Sequence, residues 1–172
     1  TSDEFVEIAK SKNFLVIEKI ELQQFDLLII SHWKALKPFI SDKIIDEFVA
    51  RLSHLKIDAI AGIESRGFLY GNGIAMNCNV PFSPIRKKGK LPYKCIQESY
   101  DLEYGSDTVE VHEDAAPNGE KVLLVDDLIA TGGTAAASAK LLEKAGAKVE
   151  SVCFLVELEF LKGREKLAGY DI

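Results

Sequence analysis

Val125-Asp126-Asp127-Leu128-Ile129-Ala130-Thr131-Gly132-Gly133-Thr134 joins an apolar strand to a helix, and its reading decides the fold. Just upstream, Lys121 to Val125 is short and rich in valine and leucine, as a buried parallel strand is. Downstream, Thr134 to Ala145 carries helix formers, and Gly146 suits the left-handed backbone that ends a helix. Val149 to Val156 returns to β-branched apolar residues. The pattern therefore predicts a strand, a loop from Asp126 to Gly133, a helix and a second strand. Such a crossover is right-handed and sets its loop at the carboxyl edge of the sheet, where open parallel sheets bind ligands.

Further upstream the alternation repeats, which is the layout of a parallel sheet covered by helices. Ile57 to Ala61 reads as a buried strand ending at Gly62, Gly67 to Asn77 as a helix, and Val80 to Ile85 as another strand. Lys87 to Gly105 is polar and rich in Lys and Tyr; its length marks a mobile flap, ending in a β-ribbon through Thr108 to Val111. Before Leu55, helical stretches (Asp3 to Lys10, Ser41 to Leu52) flank an apolar run at Phe25 to Ile30. No repeat or linker divides the chain, so one domain over residues 1–172 is expected, with a distinct N-terminal region (1–55) and a core (57–167).

The chemistry of the opening ten residues has two halves. Ala130, Thr131, Gly132, Gly133 and Thr134 are small, and glycine lets backbone N–H groups approach an anion at a helix N-terminus. The two threonine hydroxyls add donors, so this end suits a phosphate. Asp126 and Asp127 would repel that phosphate on contact, but they suit the vicinal hydroxyls of a sugar a few ångströms away. Phosphate at one end and a diol at the other describe a ribose 5-phosphate. Removed from this context, an aspartate here would simply end the strand and cap the helix.

Gly62-Ile63-Glu64-Ser65-Arg66-Gly67-Phe68 is a second anion-binding candidate. Glycines on both sides of the turn free backbone N–H groups, and the Arg66 fork can hold a diphosphate in bidentate fashion. Arg86-Lys87-Lys88-Gly89-Lys90 adds a local basic cluster, which alone would read as a solvated turn. Gly71-Asn72-Gly73 lacks a third glycine, since Met76 stands in its place, so no dinucleotide fingerprint forms.

These motifs resemble the type I phosphoribosyltransferases, and the wording VDDLIATGGT is most similar to the adenine phosphoribosyltransferases. The resemblance covers about Ile57 to Leu167, including Leu161 to Leu167 near the end. It implies an α/β, type I phosphoribosyltransferase fold, with a mostly parallel central sheet flanked by helices, a mobile flap and an N-terminal hood. It also implies transfer of a phosphoribosyl group from phosphoribosyl pyrophosphate (PRPP) to adenine, giving AMP and pyrophosphate in purine salvage. On this reading Asp126 and Asp127 hold the ribose, and Ala130 to Thr134 the 5′-phosphate. Ser65, Arg66, Lys87 and Lys90 hold the pyrophosphate, with a cis peptide expected between Glu64 and Ser65. Ser99 to Gly105 resembles the family's flap motif and gives Glu103 the proton of the purine ring. Mg²⁺ is carried by PRPP and not by a dedicated protein site, and a homodimer is implied.

The family's usual hood segment, of the form PGIxFRDITPLL, is absent. Gln24 to Leu28 lies near the right distance, so Phe25 could cover the base from one side and Ile129 stack on it from the other, although by itself Phe25 reads better as an apolar core residue. Another purine base, and a noncatalytic PRPP-binding regulator, are the alternatives. A regulator of that kind would be expected to carry an added nucleic-acid-binding module, for which the chain has neither a spare domain nor a basic helix.

Composition narrows the remaining classes. A net charge of −6 with pI near 5.2 excludes a nonspecific nucleic-acid or membrane-surface binder. Cys78, Cys95 and Cys153 are odd in number and widely spaced, and His32, His54 and His112 are equally scattered, so a zinc site is not indicated. No apolar run is long enough to span a bilayer and the acidic start is unlike a signal peptide, so a cytoplasmic protein with reduced thiols is expected.

Overall fold

A computed structural model describes residues 38–101, 105–115 and 119–172, with side chains from residue 43 onward. Contacts divide the chain into two units, Thr1–Phe48 and Val49–Ile172. The expected helix at Asp3 to Lys10, the run at Phe25 to Ile30, and Phe25 itself lie outside the described residues, as does Glu103. The first described element is helix α1 (Pro38–Leu52), matching the helical pattern read from Ser41.

The second unit is built on a six-stranded sheet. Its strands are β1 (Ala59–Ile63), β2 (Phe82–Lys87), β3 (Cys95–Asp101), β4 (Ser106–His112), β5 (Lys121–Ile129) and β6 (Lys148–Glu157). They lie in the order β3-β4-β2-β1-β5-β6. β2, β1, β5 and β6 run parallel, whereas β4 pairs antiparallel with both β2 and β3. Helix α2 (Gly67–Cys78) connects β1 to β2, and helix α3 (Gly133–Lys144) connects β5 to β6. This is the mostly parallel, helix-flanked sheet expected from sequence.

Strand alternation assigns the two faces. Ala59, Ala61, Ile63, Val122 and Leu124 share a core with Ala135, Ala137, Ala139, Leu141 and Leu142 of α3. The intervening Ile60 and Leu123, both 1% exposed, turn to the other face. Gly62 shows how closely β1, β2 and α2 meet, since a Cβ there would stand 2.8 Å from the Phe82 ring and 2.9 Å from the Gly67 carbonyl oxygen.

Three boundaries differ from the sequence reading, each for a reason of pairing. β1 does not stop at Gly62, because Gly62 pairs with Pro84 and Ile63 with Ile85 in the parallel ladder. β5 does not end at Val125: β6 continues beside it, pairing Asp126 with Phe154 and Ile129 with Glu157. The loop after β5 is therefore only Ala130 to Gly132. Finally, the first part of the expected flap is a strand, β3, zipped in register to β4 from Cys95–His112 to Asp101–Ser106. Gly146 takes the positive φ expected of it, at 99°.

Candidate active site

The site gathers at the carboxyl ends of β1, β2 and β5. β1 delivers the Glu64-Ser65-Arg66 turn, whose Glu64–Ser65 peptide is cis. β5 delivers Asp126 and Asp127 and then the Ala130 to Gly132 loop, from which α3 starts. The two turns abut. Arg66 Nε donates to Asp127 Oδ2 across sixty-one residues of sequence. A Cβ on Gly67 would stand 2.6 Å from the Val125 carbonyl oxygen and 3.1 Å from Asp126 Oδ1. Only glycine lets α2 begin this close to Val125 and Asp126 of β5.

Asp127 is 8% exposed and keeps Arg66 as its partner. Asp126 Oδ1 accepts the Asp127 backbone N–H at 2.8 Å. Burial first, and then the charge of Asp127, push the Asp126 carboxyl up to about 8. A carboxyl raised in this way keeps its proton in the folded chain at pH values where the unfolded chain has lost it. The folded state then holds the extra proton, and the group's contribution to stability falls as pH climbs from about 4 to about 8. Asp126→Asn is therefore expected to flatten that fall in the ligand-free protein, measured as urea midpoint against pH. An unchanged slope would show that Asp126 is ionised throughout.

Glu64 has the opposite sign. Its burial acts upward, but hydrogen bonds from Lys90 Nζ (2.8 Å), the Lys87 N–H (3.0 Å) and Arg86 outweigh it and bring the carboxyl down to about 2. The stability it supplies is present above its ordinary value and lost as acid carries the pH towards 2. Arg86 Nη1 also donates to the Lys90 carbonyl at 3.0 Å, so Glu64 collects the basic cluster beside the Ser65-Arg66 turn. Glu110, 2% exposed, holds the same segment from below through the N–H groups of Lys90 (2.9 Å) and Leu91 (3.0 Å).

At the other end of the site, Gly132 has φ 75° and precedes the first turn of α3. A Cβ on Gly132 would overlap the carbonyl of Gly163, and one on Gly163 would overlap the carbonyl of Ala130. The 3₁₀ turn Gly163–Leu167 thus backs the loop at van der Waals range, held by Leu167, which is fully buried. Thr131 is exposed, and Thr134 Oγ1 donates to the Tyr100 hydroxyl at 3.1 Å. Lys166 Nζ lies 3.7 Å from where a Cβ on Gly133 would stand.

The structure thus brings together Ser65, Arg66, Asp126, Asp127 and Ala130 to Thr134. Lys90 joins them through Glu64, while Lys87 Nζ is held by Asp107 at 2.9 Å. Ile129 is a correction: it is 2% exposed and packed in the core, with its Cγ1 2.7 Å from a Cβ built on Gly163. It offers a base no open apolar face. Sequence reasoning missed Glu64, Tyr100, Asp107 and Gly163 as parts of the site. Glu64 was legible in principle, as an acid set inside an anion-binding segment; the others depend on strand register and tail placement.

Among the described residues no group of three or more His, Cys, Asp or Glu side chains could hold a metal ion. No described helix is long and apolar enough to cross a membrane.

Residues 32–169 match the phosphoribosyl transferase domain family. An adenine phosphoribosyltransferase of Christiangramia forsetii is 58% identical over 125 residues, 73% of each chain. One from Clostridium botulinum is 52% identical over 128 residues, 74% of each. Among solved structures, the adenine phosphoribosyltransferase of Thermoanaerobacter pseudethanolicus superposes with TM-score 0.76 at 47% identity, covering 84% of this chain and 81% of its own. The Saccharomyces cerevisiae enzyme, crystallised with adenine and an iminoaltritol bisphosphate, gives TM-score 0.74 at 45% identity, covering 79% and 80%. The Trypanosoma brucei enzyme, with AMP, pyrophosphate and ribose 5-phosphate, gives 0.71 at 37%, covering 78% and 59%.

Proposed function

The chain belongs to the phosphoribosyltransferase family, among the adenine phosphoribosyltransferases, and from that membership we propose how its residues divide the reaction. Adenine N9 attacks C1′ of PRPP, the C1′–O bond breaks, and pyrophosphate leaves with the electron pair. AMP forms as N9 loses its proton. The observation that carries this assignment is the contact between the two anion-binding turns, Arg66 on Asp127, which sets a diphosphate-binding arginine against a diol-binding carboxylate.

Asp126 and Asp127 accept the ribose hydroxyls, while Ala130 to Thr134 surround the 5′-phosphate with N–H groups and the α3 dipole. Ser65, Arg66, Lys87 and Lys90 neutralise the departing pyrophosphate. Lys87 and Lys90 must leave Asp107 and Glu64, or share them, to do so. Glu103 takes the N9 proton, and Phe25 covers the base; both assignments rest on family resemblance. Mg²⁺ fits this donor set as a passenger of PRPP, since Mg²⁺ is usually held by one or two carboxylates plus substrate phosphates. When bound it adds positive charge against the leaving group. A cytoplasmic homodimer belongs to the same proposal. Leu69 (56% exposed) and Met76 (74%) share one face of α2 and support a partner surface there.

The test is pyrophosphate release from PRPP with adenine, hypoxanthine, guanine or xanthine. Release with adenine alone is expected. Release with another base and not adenine would overturn the base, and PRPP binding without release under every base would point to a regulator.

A further inference from the structure

Near the turn of the β3–β4 hairpin lies a hydrogen-bonded chain whose middle members, Tyr100 and Asp107, the proposed reaction does not use. Thr134 Oγ1 donates to the Tyr100 hydroxyl at 3.1 Å. That hydroxyl donates to Asp107 Oδ2 at 3.4 Å, and the same oxygen holds Lys87 Nζ at 2.9 Å. Asp107 Oδ1 takes the Thr108 N–H at 2.8 Å. The arrangement is fixed by register, since Tyr100 and Asp107 face each other across the strands. It is also fixed by packing: Tyr100 Cδ2 lies 3.5 Å from where a Cβ on Gly133 would stand. Burial raises the Tyr100 hydroxyl above its ordinary value, so it stays a donor at neutral pH.

Each hydroxyl has one proton to give. While Thr134 spends its proton on Tyr100, it has none for a phosphate oxygen. A phosphate at the α3 N-terminus offers a charged acceptor, which makes a stronger hydrogen bond than a phenol does. The Thr134 proton then turns to the phosphate. Tyr100 is placed to turn its own proton from Asp107 to Thr134 Oγ1, and Asp107 keeps Lys87 and the Thr108 N–H as donors. The chain reverses without any heavy atom moving.

We infer that Tyr100 is a positioning residue for the 5′-phosphate, acting through the Thr134 hydroxyl, with Asp107 as the alternative acceptor of its proton. This rests on the PRPP reading above. Phenylalanine at position 100 keeps the ring against Gly133 and removes only the hydroxyl. Tyr100→Phe is expected to weaken AMP binding and raise KM for PRPP about fivefold, with kcat, KM for adenine and pyrophosphate affinity within about twofold, as loss of one supporting hydrogen bond predicts.

A merely structural tyrosine would behave differently in a double-mutant cycle. In a Thr134→Val background, which lacks the hydroxyl, Tyr100→Phe should cost nothing further. An equal loss in that background would show that Tyr100 acts by packing, and unchanged AMP affinity in the single variant would equally overturn the inference. Should Tyr100→Phe fold poorly, 3-fluorotyrosine at position 100 supplies a readout in the otherwise intact protein. Its fluorine resonance should move on adding AMP, and no movement at saturating AMP would overturn the inference. A wild type that binds neither PRPP nor AMP would remove the substrate reading and this inference together. Wild type binding both, with Tyr100→Phe binding equally well, would remove the inference alone.

Discussion

Asp127→Asn is expected to lower kcat/KM for PRPP by about 10–10²-fold, from the loss of one charge-assisted hydrogen bond of about 1.5–3 kcal/mol. The side chain sits at the end of β5, 8% exposed, with Arg66 on one oxygen. Asparagine keeps the shape but replaces one acceptor by an N–H donor. If the amide nitrogen faces Arg66, two donors oppose each other in a poorly solvated turn. If it faces the ribose, a hydroxyl loses its acceptor. Either orientation weakens one of the two connections that make the anion-binding turns a single site. The charge also disappears beside Asp126, whose carboxyl should then fall from its raised value. Steady-state rates with varied PRPP test this. A loss below about tenfold would mean that the ribose is held mainly elsewhere, because a single neutral hydrogen bond accounts for that much.

How much of this was legible in the sequence depended on distance along the chain. The β5–loop–α3 unit is local: strand residues, glycines and threonines stand in one continuous run, and the structure keeps them in that order. Its strand runs four residues past the end read from sequence because the partner strand β6, which extends β5 to Ile129, lies beyond the intervening helix. β3 was harder still. Cys95 to Asp101 is polar and only alternately covered, so its strand state comes from pairing with β4 and not from its own apolar pattern. The same holds for chemistry. Arg66 and Asp127 each read from sequence as a substrate ligand, yet their contact joins elements separated by α2, β2, β3 and β4. Tyr100 meets Asp107 only through the hairpin register, and Ile129 proved to be core because the tail turn closes over it.

That tail turn makes the second large effect. Gly163→Ala is expected to raise KM for PRPP and weaken AMP binding by at least about tenfold, while costing about 1–3 kcal/mol of stability as an overpacked contact does. Gly163 lies outside every phosphate motif, yet its backbone is pressed against the loop that would bear the phosphate. An added Cβ would overlap the Ala130 carbonyl and stand 2.7 Å from Ile129 Cγ1 and 3.1 Å from the Gly132 nitrogen. Neighbouring backbone cannot rotate away as a flexible side chain could. Leu158 N–H is bonded to the Ile129 carbonyl at 2.9 Å, and Leu167 is fully buried, so the turn itself is pinned at both ends. The displacement must therefore be taken up by Ala130 to Gly132. Gly132 sits at φ 75° and has little alternative, because its own Cβ direction is filled by Gly163. Moving these N–H groups by a few tenths of an ångström misaims several donors at once, and hydrogen bonds weaken steeply with misalignment. Gly169→Ala is the control: its φ is 104°, but no atom lies within 4 Å of its Cβ position. It should lower stability through backbone strain and leave KM for PRPP unchanged. If Gly163→Ala does the same, the tail merely closes the core; if it loses phosphate binding as well, the C-terminal turn is the floor of the active site.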